Sequence, residues 1–324
     1  MLTIYDKSGD VLQKRESAAP CGENSIWFDL VDPTKEEDTF VEQSIGVSVP
    51  TRAEMREIEA SNRLYQEHGA HYMTTFIVYN LESQVPSTTA VTFILAGQRL
   101  VTVRYTEPKA FPLFLARVES GDAPCTSAAA IMVGLIETMI HRTADLIERV
   151  QDDVDKLAQN LFDLDRAHEK QHAQRLGMFL KHTGKQGDIV ARVQESTMSM
   201  DRLLLYFYDA ARSRKDEPRT LNRIDISHRD IAALLENMRF LSNRMSFLLD
   251  ATLGMISTEQ NQIIKLFSVM AVMLMPPTLV ASIYGMNFKF MPELGWWFGY
   301  PLALGLMFVS GLIPYVYFKR KGWL

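Results

Sequence analysis

The 324-residue chain is 47% hydrophobic, yet its mean hydropathy is only −0.06, so a large water-facing part must offset any long apolar segments. Its net charge of −5 is unevenly spread: from Leu266 onward, Lys289, Lys319, Arg320 and Lys321 against Glu293 give +3, which leaves −8 on the residues before. An acidic front part excludes a nucleic-acid binder, which rewards basic surfaces, and suits a domain that meets cations.

Met1 to Asp10 is polar with no apolar core, so no secretory signal is expected and the front part should stay in the cytoplasm. Cys21 and Cys125 are far apart and match no metal-ligand spacing, as for two free thiols in a reducing compartment. Residues 1 to about 120 read as α/β. Strand-like runs are Ser25–Asp29, Thr74–Tyr79, Val91–Leu95 and Leu100–Tyr105, the last two joined by the turn Ala96-Gly97-Gln98-Arg99. Pro33–Glu42 and Thr51–Glu59 are predicted helices, each opening at a capping or breaking residue.

After Pro124 no strand-like run recurs. Ile131, Leu135, Met139, Ala144, Ile147, Val150, Val154, Leu157 and Leu161 trace one long amphipathic helix. A second runs from about Ala167 to Arg214 and ends before Pro218. A third begins near His228, with Ile231, Leu234, Met238, Leu241, Met245 and Leu248 on its apolar face, and meets no proline until Pro276. Nothing stops it before the first of two charge-free apolar runs, Leu266–Phe288 and Leu294–Phe318. Each is long enough to cross a bilayer. Stalk and first span are therefore predicted as one helix of about 55 residues, or about 80 Å. The expected division is 1–124 (cytoplasmic α/β domain), 125–265 (long-helix stalk) and 266–324 (two-span membrane domain), an α+β class overall. Lys319-Arg320-Lys321 after the second span, and Arg244 and Lys265 before the first, predict both termini inside.

Ser268, Ala271, Met275, Thr278 and Ser282 recur on one face of the first span, and Asn261 extends that stripe toward the stalk. Small residues at this spacing suit close helix packing in lipid. They also suit a pore wall, because the span ends in the amide-bearing turn Tyr284-Gly285-Met286-Asn287-Phe288. Two helices cannot enclose a pore, so a pore requires several copies of the chain.

His168-Glu169-Lys170-Gln171-His172 matches H-E-x-x-H, which on a helix can bind zinc with the glutamate as base. A membrane-anchored zinc metalloprotease is the corresponding reading. Asp163, Asp165, Arg166 and Lys170 mark instead an exposed helix surface, and no clear third ligand follows.

The Gly-Met-Asn triplet 285–287 after the first of two C-terminal spans, together with Phe290-Met291-Pro292-Glu293-Leu294, Gly299-Tyr300-Pro301 and the basic end Lys319 to Leu324, resembles the CorA family of magnesium channels. Trp27-Phe28-Asp29-Leu30, Ile58-Glu59-Ala60-Ser61 and the long stalk extend the resemblance over the whole chain. It implies a funnel-shaped homopentamer in the cell inner membrane that carries Mg²⁺, and also Co²⁺, inward. It implies no enzyme activity, no nucleotide and no cofactor beyond transported and regulatory Mg²⁺. Asn287 would form a ring of carbonyls at the outer mouth, with Gly285 and Met286 shaping the turn. Asn261, Met275 and Thr278 match pore-lining positions, and Phe267 sits where the family places an apolar constriction. Members close when cytoplasmic Mg²⁺ binds acidic residues between subunits, for which Asp250, Asp230 and Asp225 are candidates, with Asp152, Asp153 and Asp155 on the first long helix. Lys289 stands where the family commonly has an acid, while Glu293 is retained in the external loop. The related branch of the superfamily, proton-coupled Zn²⁺ transporters, usually replaces the methionine of the triplet, so Met286 favours magnesium.

Overall fold

The structure is a computed structural model that describes residues 1–324 except 10, 16–21, 23, 58, 81–85, 124, 165–171, 288, 290 and 324. Two units divide it: residues 1–167 with 179–248, and residues 168–178 with 249–324.

In the first unit a seven-stranded sheet has the order β2-β1-β3-β7-β6-β5-β4. Its strands are β1 (Leu2–Ser8), β2 (Val11–Lys14), β3 (Ser25–Val31), β4 (Leu64–Glu67), β5 (Ala70–Tyr79), β6 (Ser87–Ala96) and β7 (Arg99–Arg104). Neighbours are antiparallel except β3 and β7, which run parallel with Asp29 opposite Thr102. The mixed sheet agrees with the expected class. Helix α1 (Lys35–Ile45) opens on a capping box between Thr34 and Glu37, inside the predicted Pro33–Glu42. The predicted helix Thr51–Glu59 is not one; that stretch holds a single 3₁₀ turn, Glu54–Arg56, which buries Met55. Behind Pro50 the chain makes one local turn and then moves on.

Each face of the sheet carries its own core. Phe28, Leu30, Tyr72, Ile94, Val101 and Val103 pack under α1 with Val41, while Trp27, Phe93, Leu95 and Leu100 pack against helices on the other side. On that second side Trp27 Nε1 donates to Thr102 Oγ1 (3.0 Å), whose hydroxyl donates to Asp29 Oδ1 (2.6 Å). Arg104 closes the network on Asp29 Oδ2 at 2.7 Å and lies 4.1 Å from the Phe111 ring centroid. Phe111 belongs to α2 (Ala110–Glu119).

Three long helices follow: α3 (Ala128–Leu164), α4 (His172–Arg214) and α5 (Pro218–Tyr284). The predicted start of the second helix near Ala167 lies outside the described residues. Beyond the reach of the short β4, the exposed backbone of β5 is covered by α4: Ser199 Oγ accepts from Phe76 N (3.0 Å) and Ser196 Oγ donates to Phe76 O (2.9 Å). Hydroxyls on a helix thus satisfy a strand edge that would otherwise invite another strand. Within this unit α5 is tied down by a bidentate Arg223–Glu137 pair at 2.8 Å to α3, by His228–Asp201 at 3.3 Å to α4, and by Arg244–Asp155 to α3.

Helix α5 begins at Pro218, ten residues before the predicted start. Leu221 and Ile224 already carry the apolar period, and proline is tolerated in a first turn because its missing N–H has no helical acceptor there. The helix is 67 residues, about 100 Å long at 1.5 Å per residue, and so exceeds the predicted 55. Cys125 is buried, its Sγ donating to the Ala123 carbonyl oxygen at 3.6 Å, while Cys21 lies outside the described residues.

Candidate ion pathway

The second unit contains the last part of α5 and helix α6 (Gly299–Arg320), both long and apolar enough to cross a membrane. One face of α5 meets α6. Val269 is 1% exposed, and Met273, Pro276, Pro277, Val280 and Tyr284 are half-buried. On α6 the covered residues are Gly299, Ala303, Met307, Ser310, Gly311 and Pro314. A β-carbon on Gly311 would lie 3.4 Å from Pro277 Cγ and 3.5 Å from the Met273 carbonyl oxygen, the acceptor that Pro277 leaves without its helical N–H.

The predicted stripe occupies the other side. At 100° per residue, Asn261, Ser268, Ala271, Met275, Thr278 and Ser282 fall within an arc of about 100°, centred about 160° from the α6-facing side. All six are exposed, as is Phe267 at the edge of the arc (66%). The hydroxyls of Thr278 and Ser282 donate to their own helix, to Leu274 O (2.7 Å) and Thr278 O (2.8 Å). Their polar hydrogens are thus satisfied internally, and their oxygens remain available on the exposed face.

At its C-terminal end α5 stops at Tyr284. Gly285 N still donates to Ala281 O (3.0 Å) and Met286 N to Ile283 O (3.2 Å), after which the chain leaves the helix. A β-carbon on Gly285 would sit 3.1 Å from the Ala281 carbonyl oxygen, tighter than ordinary contact, so a side chain here would have to push that carbonyl back by a few tenths of an ångström. Asn287 is exposed, and its amide has no hydrogen-bond partner among the described residues. Lys289 is exposed beside it, without a carboxylate partner among the described residues, and Glu293 lies in the turn Pro292–Gly295.

The acidic candidates do not form one cluster. Asp225 pairs with Arg229 at 2.9 Å, Asp230 lies about 140° around the helix from it, and Asp250 is twenty residues further along. Asp250 is exposed and falls on the same arc as Asn261. Asp153 lies 3.7 Å from Lys156 and accepts from Gln186 at 3.4 Å; Asp155 is the partner of Arg244. No group of three or more His, Cys, Asp or Glu side chains able to hold a metal occurs among the described residues. Of the H-E-x-x-H run, residues 168–171 lie outside the described residues.

Two aromatic belts escaped the sequence reading. Trp296, Trp297, Phe298 and Tyr300 cluster at the N-terminal end of α6, with Trp296–Phe298 and Trp297–Phe298 centroids 5.4 and 5.8 Å apart. Tyr315, Tyr317, Phe318 and Trp323 gather at the other end, with Phe318 and Trp323 stacked at 5.4 Å. Their spacing at the two limits of an apolar run is the signal that could have found them.

A family profile described as CorA-like Mg²⁺ transporter protein matches residues 22–320. The chain belongs to this CorA-like family. Relatives named Magnesium transport protein CorA include that of Yersinia pseudotuberculosis serotype I (strain IP32953), 37% identical over 301 residues and covering 93% of this chain and 92% of its own. That of Escherichia coli (strain K12) is 38% identical over 302 residues with the same coverage. The complete structure of the CorA magnesium transporter from Methanocaldococcus jannaschii matches with a TM-score of 0.76 at 18% identity, over 100% of this chain and 99% of that one. The full-length CmaX protein matches at 0.63 and 18% over 100% and 98%. At these identities the two structures attest the fold. CorA-like proteins are membrane transporters with two apolar C-terminal helices, not enzymes, and the metalloprotease reading falls with that membership.

Proposed function

We propose that this chain is a magnesium entry channel: several copies, five by family resemblance, surround a pore lined by the Asn261–Ser282 stripe and capped by a ring of Asn287 amides. The observation that carries this reading is the placement of the stripe. It lies on the side of α5 turned away from α6, exposed in the single chain, and leads directly into the Gly285-Met286-Asn287 turn.

The chemistry follows from the ion. Mg²⁺ holds its water octahedron tightly and dehydrates reluctantly, so a ring of amide oxygens can select it through hydrogen bonds to its waters. Below the ring, Met275 and Phe267 supply apolar constrictions that close the path by dewetting. A divalent ion moving inward gains about 4.6 kcal/mol per 100 mV of inside-negative potential, enough for a gradient of more than about a thousandfold without a nucleotide. Cytoplasmic Mg²⁺ acts as the closing signal through acidic side chains, of which Asp250 is the best placed because it shares the arc of the pore stripe. Both termini face the cytoplasm across the inner membrane, and Co²⁺ is a second permeant ion.

Purified protein in liposomes with an internal magnesium indicator tests the reading. Influx should follow an imposed inside-negative potential, extend to Co²⁺, and be indifferent to a pH gradient. Zn²⁺ flux that requires a proton gradient would replace this reading with proton-coupled zinc transport.

A further inference from the structure

The membrane-proximal end of the second unit carries four cations, Lys265, Lys319, Arg320 and Lys321, all exposed. None of them has a carboxylate partner among the described residues. Between Glu259 and the end of the chain the sequence holds a single acid, Glu293, at the opposite end of both spans. Three of these cations rest instead on aromatic faces. Lys265 Nζ lies 5.8 Å from the Trp323 ring centroid, Lys319 Nζ 5.7 Å from Tyr315, and Lys321 Nζ 5.5 Å from Tyr317. Trp323 in turn stacks on Phe318. The Lys265–Trp323 contact brings the residue just before the first apolar run level with the turn that follows α6.

We propose that this cluster is a binding site for the phosphate headgroup of an anionic phospholipid. The ring quadrupole holds a lysine ammonium over the ring face, leaving its other N–H groups for a phosphate, and tyrosine and tryptophan favour the headgroup level of a bilayer. Uncompensated cations at that level attract anionic lipid. The aromatic platforms hold the ammonium groups at one depth, while acyl chains meet the exposed apolar sides of α5 and α6. The occupant is a lipid rather than a soluble anion because exposed apolar side chains of both helices, Leu266 and Phe267 on α5 and Val316 and Tyr317 on α6, begin directly beside the cations. The inference rests on the membrane reading of the two helices and not on conduction.

Full-length protein in neutral detergent, supplied with equal amounts of phosphatidylglycerol and phosphatidylcholine and then delipidated, tests this by the lipid retained in native mass spectra. Phosphatidylglycerol should be retained selectively, and each cation neutralised should weaken its retention about fivefold. Lys265→Gln leaves the terminal basic run and its orientation signal in place, and is expected to show that loss alone; Lys319→Gln with Lys321→Gln should compound it. Trp323→Leu, which keeps every charge, should also weaken retention. Equal retention of the two lipids, unchanged retention in Lys265→Gln, or displacement by an equal concentration of inorganic phosphate would each overturn the proposal. Selective retention by a protein that fails to conduct Mg²⁺ would leave it standing and remove the channel reading instead.

Discussion

Gly311 of α6 lies against Pro277 of α5 so closely that an added β-carbon would meet the proline ring at 3.4 Å and the Met273 carbonyl oxygen at 3.5 Å. The two helices approach here through a residue of α6 that lacks a side chain, opposite the carbonyl that proline leaves without a helical donor. Alanine fits at ordinary contact distance. Gly311→Ala should therefore change stability little, whereas Gly311→Val should lower it by about 1–3 kcal/mol through overpacking. Thermal unfolding of the detergent-solubilised protein checks both, and equal midpoints for the two variants would contradict the close contact.

The Asp29–Arg104 pair is almost fully buried and bonded at 2.7 Å, with Thr102 and Trp27 completing the network. Removing one partner strands the other charge in the core. Asp29→Ala should cost about 3–5 kcal/mol, measured by denaturant unfolding followed by tryptophan fluorescence. A cost under about 1 kcal/mol would mean that Arg104 finds solvent.

His71, buried with Nδ1 3.3 Å from the Tyr206 hydroxyl, has its pKa lowered by burial first and then by the nearby Arg214. The unfolded chain therefore takes up the proton first, at a pH of about 6.5. The stability from neutral His71 is full above that pH. It is lost as the pH falls from there through the lower folded-state value. Thermal midpoints of wild type should drop across that window more steeply than those of His71→Gln; parallel curves would contradict the assignment.

Lys289 is exposed next to Asn287, where like charge repels an approaching divalent cation. Lys289→Glu should raise Mg²⁺ influx at low external Mg²⁺ by about tenfold at low ionic strength, with the gain shrinking as salt screens the mouth. Influx unchanged at every ionic strength would place the Lys289 side chains away from the ion's path.

Much of this architecture was legible beforehand. The strands β3, β5, β6 and β7 are β-branched and aromatic runs, and their burial on both faces makes them stand out. The missed strands β1, β2 and β4 include LTIYDKS, VLQK and LYQE, in which polar residues dilute the pattern because they lie toward the sheet's edges. The start of α5 was hidden by Pro218, which reads as a break although it sits in a first turn. Of the candidate site, the stripe and the Asn287 turn were readable because helical spacing and an amide at the end of an apolar run are local signals. The Gly311–Pro277 contact and the Lys265–Trp323 pair were not, since each joins α5 to α6 or the turn after it across a gap of tens of residues. The acidic candidates share no local signature, and the structure shows Asp225 and Asp155 already engaged by Arg229 and Arg244.

The central claim is that Asn287 amides, contributed by several chains, admit hydrated Mg²⁺. Its most direct test is Mg²⁺ influx into liposomes carrying Asn287→Ala under an inside-negative potential, with the oligomer verified by size-exclusion chromatography coupled to light scattering. The account predicts an intact oligomer and influx reduced to that of empty liposomes. Wild-type influx through an intact Asn287→Ala oligomer would contradict it.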